Sequence, residues 1–236
     1  MALQRSVAQG LNGHQLGHEL FHDCSGEARP GVILFSTVMG VTDLERGFAE
    51  RLVGLGYSVL VADLYGRRFA SEQRGEAMAA MQALREDRAG LRERLVAVLG
   101  EARAQHEIDE KRVAAIGFCF GGQNVLDLAR AGEDIAGVAS FHGLLDPPGL
   151  APQPIKTKVA AFHGWDDPLA PPEAVVALAA ELTAAGCDWQ IHAFGQVGHG
   201  FTNPGATGAM PGIKYDAATA RRAWAACDGF LAECFA

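Results

Sequence analysis

Apolar positions in this chain come as short continuous runs separated by longer stretches with helical spacing. Runs at 31–37, 57–62, 113–118, 136–141 and 158–162, with a more mixed one at 188–194, have the length of strands. Continuous rather than alternating apolarity is what a parallel strand covered on both faces requires. Between the runs lie amphipathic segments. Thr42-Asp43-Leu44-Glu45 reads as a capping box opening a helix, with Leu44, Phe48, Leu52 and Leu55 on one face and Gly56 as its stop. A charged helical stretch runs from residue 71 to about 105 and breaks near Gly90; another helix follows Pro171-Pro172. The last helix sets Ala220, Trp224, Cys227, Leu231 and Cys234 at helical spacing, a packing stripe. Residues 11–23 precede the alternation and are expected as an antiparallel edge strand or hairpin. The pattern predicts an α/β fold, a mostly parallel, doubly wound sheet with helices on both faces and an antiparallel N-terminal edge. With no repeat and no low-complexity linker, residues 1–236 read as one domain.

One run ends differently from the rest. Val113-Ala114-Ala115-Ile116 leads into Gly117-Phe118-Cys119-Phe120-Gly121-Gly122, the sulfur form of a nucleophile elbow, in which a strand-to-helix turn is so tight that glycines flank the reactive residue. Cys119 would stand at the strand end in strained backbone, at a helix N-terminus whose unpaired N–H groups favour negative charge. Two further segments also follow predicted strands: His163-Gly164-Trp165-Asp166-Asp167-Pro168 and Gly198-His199-Gly200-Phe201. Nucleophile, acid and histidine, in that chain order, is the α/β-hydrolase order, and the carboxyl edge of an open α/β sheet is where sites are built. Amidotransferase-type folds also carry a cysteine elbow, but their histidine follows the cysteine next, unlike Asp167 preceding His199.

Composition narrows the classes. A formal charge of −8 lacks the basic footprint that nucleic acid or anionic membrane binding needs. The five cysteines, at 24, 119, 187, 227 and 234, are odd in number and form no C-x-x-C or zinc-ligand spacing, so a reduced, cytoplasmic compartment is expected. The N-terminus lacks the apolar region of a signal peptide, and no run of about 18 apolar residues spans a bilayer. His14, His18 and His22 recur every four residues, a spacing that suggests metal ligation on a helix; Gly13 and Gly17 interrupt such a helix, and the spacing equally sets all three on one face of an exposed strand. His163 reads as a core or turn-bonding residue, whereas His142, at another strand end, is a pocket candidate. Met39, Phe118 and Trp165, beside the site segments, are candidates for an apolar pocket wall.

The elbow, Ala62-Asp63-Leu64-Tyr65-Gly66, the His-Gly-x-x-Asp segment and the His199 segment together resemble the dienelactone hydrolase family of α/β-hydrolases, from about Gly31 onward. The resemblance implies a hydrolase without a large lid, acting on small-molecule esters or lactones, with a Cys-His-Asp triad and neither metal nor organic cofactor. In that reading Cys119 is the nucleophile, His199 the general base and acid, and Asp167, placed by the register of H-G-x-x-D ahead of Asp166, orients the imidazole. The backbone N–H groups of Phe120 and Val38 form the oxyanion hole. The oligomeric state, monomer or homodimer, is left open.

Departures from the family matter for substrate choice. Dienelactone hydrolases proper carry a glutamate in the loop after the first core strand that takes part in thiol activation; Thr37 stands there. They grip the substrate carboxylate with arginines, one of them shortly after the histidine, where this chain has Asn203. Both are therefore pocket candidates, and Arg74, Arg85 and Arg88 are the remaining cations for an anionic substrate. Two alternatives accompany the ester or lactone reading: promiscuous attack on phosphotriesters by the same cysteine, and a noncatalytic or redox-sensing module in which Cys119 is modified.

Overall fold

The computed structural model describes residues 2–236. Its strands are β1 (Leu3–Leu11), β2 (His14–His22), β3 (Arg29–Phe35), β4 (Ser58–Ala62), β5 (Ile108–Phe118), β6 (Gly137–Phe141), β7 (Lys158–Gly164) and β8 (Trp189–Phe194), with a small outlying hairpin of β9 (Thr207–Met210) and β10 (Ile213–Lys214). The helices are α1 (Asp43–Val53), α2 (Arg74–Glu86), α3 (Arg88–Arg103), α4 (Phe120–Arg130), α5 (Pro172–Ala184) and α6 (Ala217–Cys234). One eight-stranded sheet runs in the order β1-β2-β4-β3-β5-β6-β7-β8, antiparallel at β1, β2 and β4 and parallel from β4 onward. This is the α/β-hydrolase architecture, an α/β fold with no large lid.

Both faces of the central strands are buried, which explains their continuous apolar runs. Alternate residues point to opposite sides: Ile33, Phe35, Ala115 and Val138 pack with α3, α4 and α5 residues such as Leu95, Val125 and Leu178. Val32, Leu34, Ile116 and Phe118 pack with Leu52 of α1 and with Trp224, Cys227 and Leu231 of α6. The capping box of α1 is present, but α1 ends two residues early, with Gly54 rather than Gly56 as its cap, and Leu55 is exposed rather than on the core face. The break in the charged stretch falls at Asp87, whose carboxylate accepts from the Gly90 N–H and starts α3.

The N-terminal segment is a hairpin that begins at Leu3, earlier than expected, with β1 as the edge. Because β2 lies between β1 and β4, it is not an exposed strand. His14 is exposed, His22 half-buried and His18 fully buried. The His18 ring joins the Gln9 side chain at 3.0 Å and accepts the Asp63 N–H at Nδ1, so the three histidines do not share one environment.

The topology creates a switch point. From β3 the chain leaves toward β4 on one side; from β5 it proceeds toward β6, β7 and β8 on the other, although β3 and β5 are hydrogen-bonded neighbours. Loops that diverge from adjacent parallel strands leave a crevice at their carboxyl ends. Phe35 pairs with Gly117, Phe118 with Phe141 and Phe141 with Phe162, so the strand ends are level there.

Candidate active site

Cys119 sits between β5 and α4 with φ +57 and ψ −113, outside the ordinary regions for an L-residue. The surrounding glycines make that turn possible. A Cβ on Gly117 would overlap the Gly121 carbonyl, one on Gly121 would overlap the Phe35 and Ser36 carbonyl oxygens, and one on Gly122 would press on Gly143 and the Ser140 hydroxyl. The strained turn is held by Cys119 N–H donating to Phe141 O at 3.0 Å and Gly121 N–H donating to Ser36 O at 2.9 Å. The second bond ties the start of α4 to the loop after β3 and closes the crevice.

His199 and Asp167 come from the loops after β8 and β7. His199 Nδ1 donates to Asp167 Oδ2 at 2.8 Å, and Asp167 Oδ1 accepts the Leu169 N–H at 2.8 Å. Asp167 is buried and Asp166 is exposed. Backbone bonds from His199 N–H to Gly212 O at 2.7 Å and from Lys214 N–H to His199 O at 3.1 Å fasten the histidine loop to the β9–β10 hairpin. Burial opposes a positive charge on His199, but hydrogen bonds with Asp167 and Cys119 outweigh it, and its pKa is raised to about 10. An imidazolium is thus favoured from both sides, by a carboxylate at Nδ1 and the Cys119 sulfur beyond.

Two backbone donors lie in the segments around Cys119, one in the residue that follows it and one in the loop after β3 that Gly121 bonds. Neither the Phe120 N–H, first in α4, nor the Val38 N–H meets an acceptor among the described residues. The first residue of a helix has no intrahelical acceptor. Val38 lies in a turn closed by Gly40 N–H donating to Thr37 O at 3.1 Å, and its own carbonyl accepts the Tyr65 hydroxyl at 3.1 Å. Tyr65 stacks near Phe120 and edge-on to Phe69; no local pattern in the sequence signals its bond to Val38.

The remaining candidates divide. Met39 is half-buried and lines, with Thr42, Phe69, Arg68 and Arg74, a cleft of about 460 Å3 beside the Thr37–Gly40 turn. Thr37 is half-buried, its hydroxyl donating to Glu45. Trp165 is partly exposed at the carboxyl edge. Phe118 does not line a pocket: strand alternation turns it to the α1 and α6 face, where it is fully buried against Phe48, Phe141 and Trp224. Asn203 closes a local turn by accepting the Gly205 N–H at 2.8 Å. His142 is buried behind His199 instead of facing open space, in a left-handed conformation with φ +37. It bonds Thr202 Oγ1 at 2.8 Å and meets the His199 ring edge-on at 5.0 Å. Burial, then the neighbouring His199 and His163, push its pKa far below the ordinary histidine value, so it adds no competing charge. His163 donates from Nε2 to Ala170 O at 2.8 Å, the turn-bonding arrangement.

Of the three arginines, Arg85 and Arg88 face away. Arg85 bonds Gln123 and Asp146; Arg88 grips Asp127 and Asp146. Arg88 borders a larger cavity of about 710 Å3 under the proline-rich segment 147–154, which touches none of Cys119, His199 or Asp167. Arg74 has no carboxylate partner among the described residues and lies in the cleft with Met39, its Nη2 4.0 Å from Met210 Sδ. Among the described residues no group of three potential metal ligands comes together, and no helix is long and apolar enough to cross a membrane.

A strained cysteine between strand and helix, a buried histidine–aspartate pair and free N–H groups at a topological switch define the α/β-hydrolase class. The chain belongs to the dienelactone hydrolase family, whose profile matches residues 21–235, and it is a hydrolase. It is 34% identical to the dienelactone hydrolase-like promiscuous phosphotriesterase P91 from metagenomic libraries, with a TM-score of 0.93 and coverage of 100% of this chain and 99% of that one. It is 36% identical over 155 residues to the uncharacterized protein K02A2.1 of Caenorhabditis elegans, covering 64% of this chain and 98% of that protein. A putative carboxymethylenebutenolidase of Synechocystis is 26% identical over 73% of this chain and 75% of its own length.

Proposed function

We propose that the protein hydrolyses carboxylic esters or lactones through an acyl-thioester on Cys119. The observation that carries this is the buried His199–Asp167 pair, 2.8 Å apart, at the same carboxyl edge of the sheet where the strained turn before α4 presents Cys119. With the thiol proton held on His199, sulfur attacks the substrate carbonyl. The oxyanion is held by the Phe120 and Val38 N–H groups, which need no reorganisation to receive it. The His199 imidazolium then protonates the departing alkoxide, leaving the thioester. In the second half His199 removes a proton from water, which attacks the thioester and expels sulfur as the acid leaves. Sulfur is a better leaving group than an amine, so the tetrahedral intermediate of an amide reverts; activated esters and lactones are the expected substrates.

Chromogenic short-chain ester turnover tests this. Cys119→Ala and His199→Ala should each remove most activity, and the double variant should be little worse than either, because residues that act as a unit are not additive. Independent, multiplicative losses would refute the unit. A second reading, attack on phosphotriesters, is favoured by the likeness to the P91 phosphotriesterase across the whole chain. Paraoxon supports it if Cys119-dependent release of nitrophenol continues past one equivalent; a single stoichiometric burst marks a phosphorylated, inactivated thiol.

A further inference from the structure

Thr37, which stands where the family carries its glutamate, is itself bonded to a buried carboxylate. Glu45, recognised in the sequence only as the last residue of a capping box, is fully buried, and its carboxylate reaches beyond the helix it caps. Oε1 accepts the Thr37 N–H at 3.1 Å and the Thr37 hydroxyl at 3.2 Å; Oε2 accepts the Thr42 N–H at 3.0 Å and the Thr42 hydroxyl. A capping box needs only the bond to Thr42. The two bonds to Thr37 join the start of α1 to the residue immediately before Val38, and the Val38 carbonyl is anchored separately by Tyr65. The peptide that presents the Val38 N–H is therefore gripped on both sides, by a carboxylate before it and a phenol after it.

We propose that Glu45 is a positioning residue for the oxyanion hole: its carboxylate ties Thr37 to Thr42 and so holds the Val38 N–H aimed at the site where negative charge develops. The inference rests on the ester reading above. Glu45 touches neither substrate nor Cys119; it acts through Thr37. Glu45→Gln keeps the shape but turns one acceptor into an amide donor facing a backbone N–H, which loosens one end of the clamp. Misplacing a preorganised donor by about 1 Å costs on the order of 10²-fold.

The test separates acyl transfer from thiol reactivity. Alkylation of Cys119 by iodoacetamide is displacement at carbon and forms no oxyanion, whereas acylation by a nitrophenyl ester does. In Glu45→Gln, kcat for the ester should fall by about 10²-fold with KM within about threefold, while the rate of Cys119 alkylation stays within about twofold of wild type. Loss of both rates together assigns Glu45 to the nucleophile or to the fold and overturns the proposal; loss of neither overturns it as well. Should Glu45→Gln not fold, Thr37→Val carries the same test without altering α1. It removes one of the two Thr37 donors, should slow acylation about tenfold with alkylation unchanged, and should be rescued by Thr37→Ser. A Thr37→Val acylation rate equal to wild type overturns the proposal. A wild type that hydrolyses no ester in a Cys119-dependent way refutes the ester reading and this inference with it, whereas a competent wild type with unaffected variants refutes this inference alone.

Discussion

Replacing Asp167 by Asn changes one atom in a buried site and should cost far more than its size suggests. Asp167 Oδ2 accepts from His199 Nδ1 at 2.8 Å and Oδ1 from the Leu169 N–H at 2.8 Å. In Asp167→Asn the amide oxygen keeps the Leu169 bond, so the NH2 group faces His199. An amide NH2 donates, so Nδ1 must become the acceptor and the ring proton moves to Nε2, where it faces Cys119 and blocks proton removal from the thiol. The lost charge-assisted bond is worth roughly 1.5–3 kcal/mol, or about 10- to 150-fold. Adding the wrong tautomer brings the expected loss in kcat/KM to roughly 10²- to 10⁴-fold. Asp166, exposed and facing solvent, should lose less than about threefold as Asp166→Asn. The assay is chromogenic ester turnover, with urea unfolding to establish that both variants remain folded. A reversed ranking, or a loss below about tenfold for Asp167→Asn, would refute the assignment of the acid and the tautomer argument together.

Other outcomes follow from particular contacts. Gly121→Ala should destabilise the fold by about 3 kcal/mol or more, because its methyl overlaps the Phe35 and Ser36 carbonyls. Gly100→Ala in α3, with nothing within 4 Å, should instead stabilise it by roughly 0.5–1 kcal/mol; urea midpoints compare the two, and equal effects would discount the steric account of the elbow. Burial lowers the pKa of His18 to about 4, with Arg68 adding to the shift and Asp63 opposing it. A depressed histidine leaves stability intact above its unfolded value near 6.5 and removes it as pH falls toward 4, because only the unfolded chain gains the proton. Between pH 7 and 5 the loss is about 2 kcal/mol; His18→Gln should flatten that segment of the stability profile, and an unchanged slope would refute the reading. A neutral activated ester should show higher kcat/KM than a dienelactone bearing a carboxylate, given Thr37 and Asn203 in place of the family's glutamate and arginine. If the anionic substrate is preferred and Arg74→Ala abolishes the preference, Arg74 has assumed the carboxylate contact and the expectation fails.

What the sequence determined is what depends on local order. The alternation of apolar runs with amphipathic segments was enough for the parallel sheet and its two layers of helices, because a strand buried on both faces is mostly apolar along its whole length. The glycines around Cys119 revealed the elbow, because only residues without Cβ pass that close to the Phe35 and Gly121 carbonyls. The fold decided whatever depends on direction and on distant partners. Phe118 and Cys119 are adjacent in the chain, yet Phe118, the last residue of β5, packs into an aromatic core while Cys119 stands in the strained turn that leaves the strand. His18 and His14 share a spacing but not a burial, because the strands beside β2 cover one and not the other. Glu45 read as a helix cap, and no local pattern shows that its other oxygen reaches Thr37; that contact exists because α1 begins where the loop after β3 turns back on itself. Sequence spacing specifies which backbone can form, while the environment that makes a buried carboxylate or a neutral histidine useful is assembled only when separate elements converge.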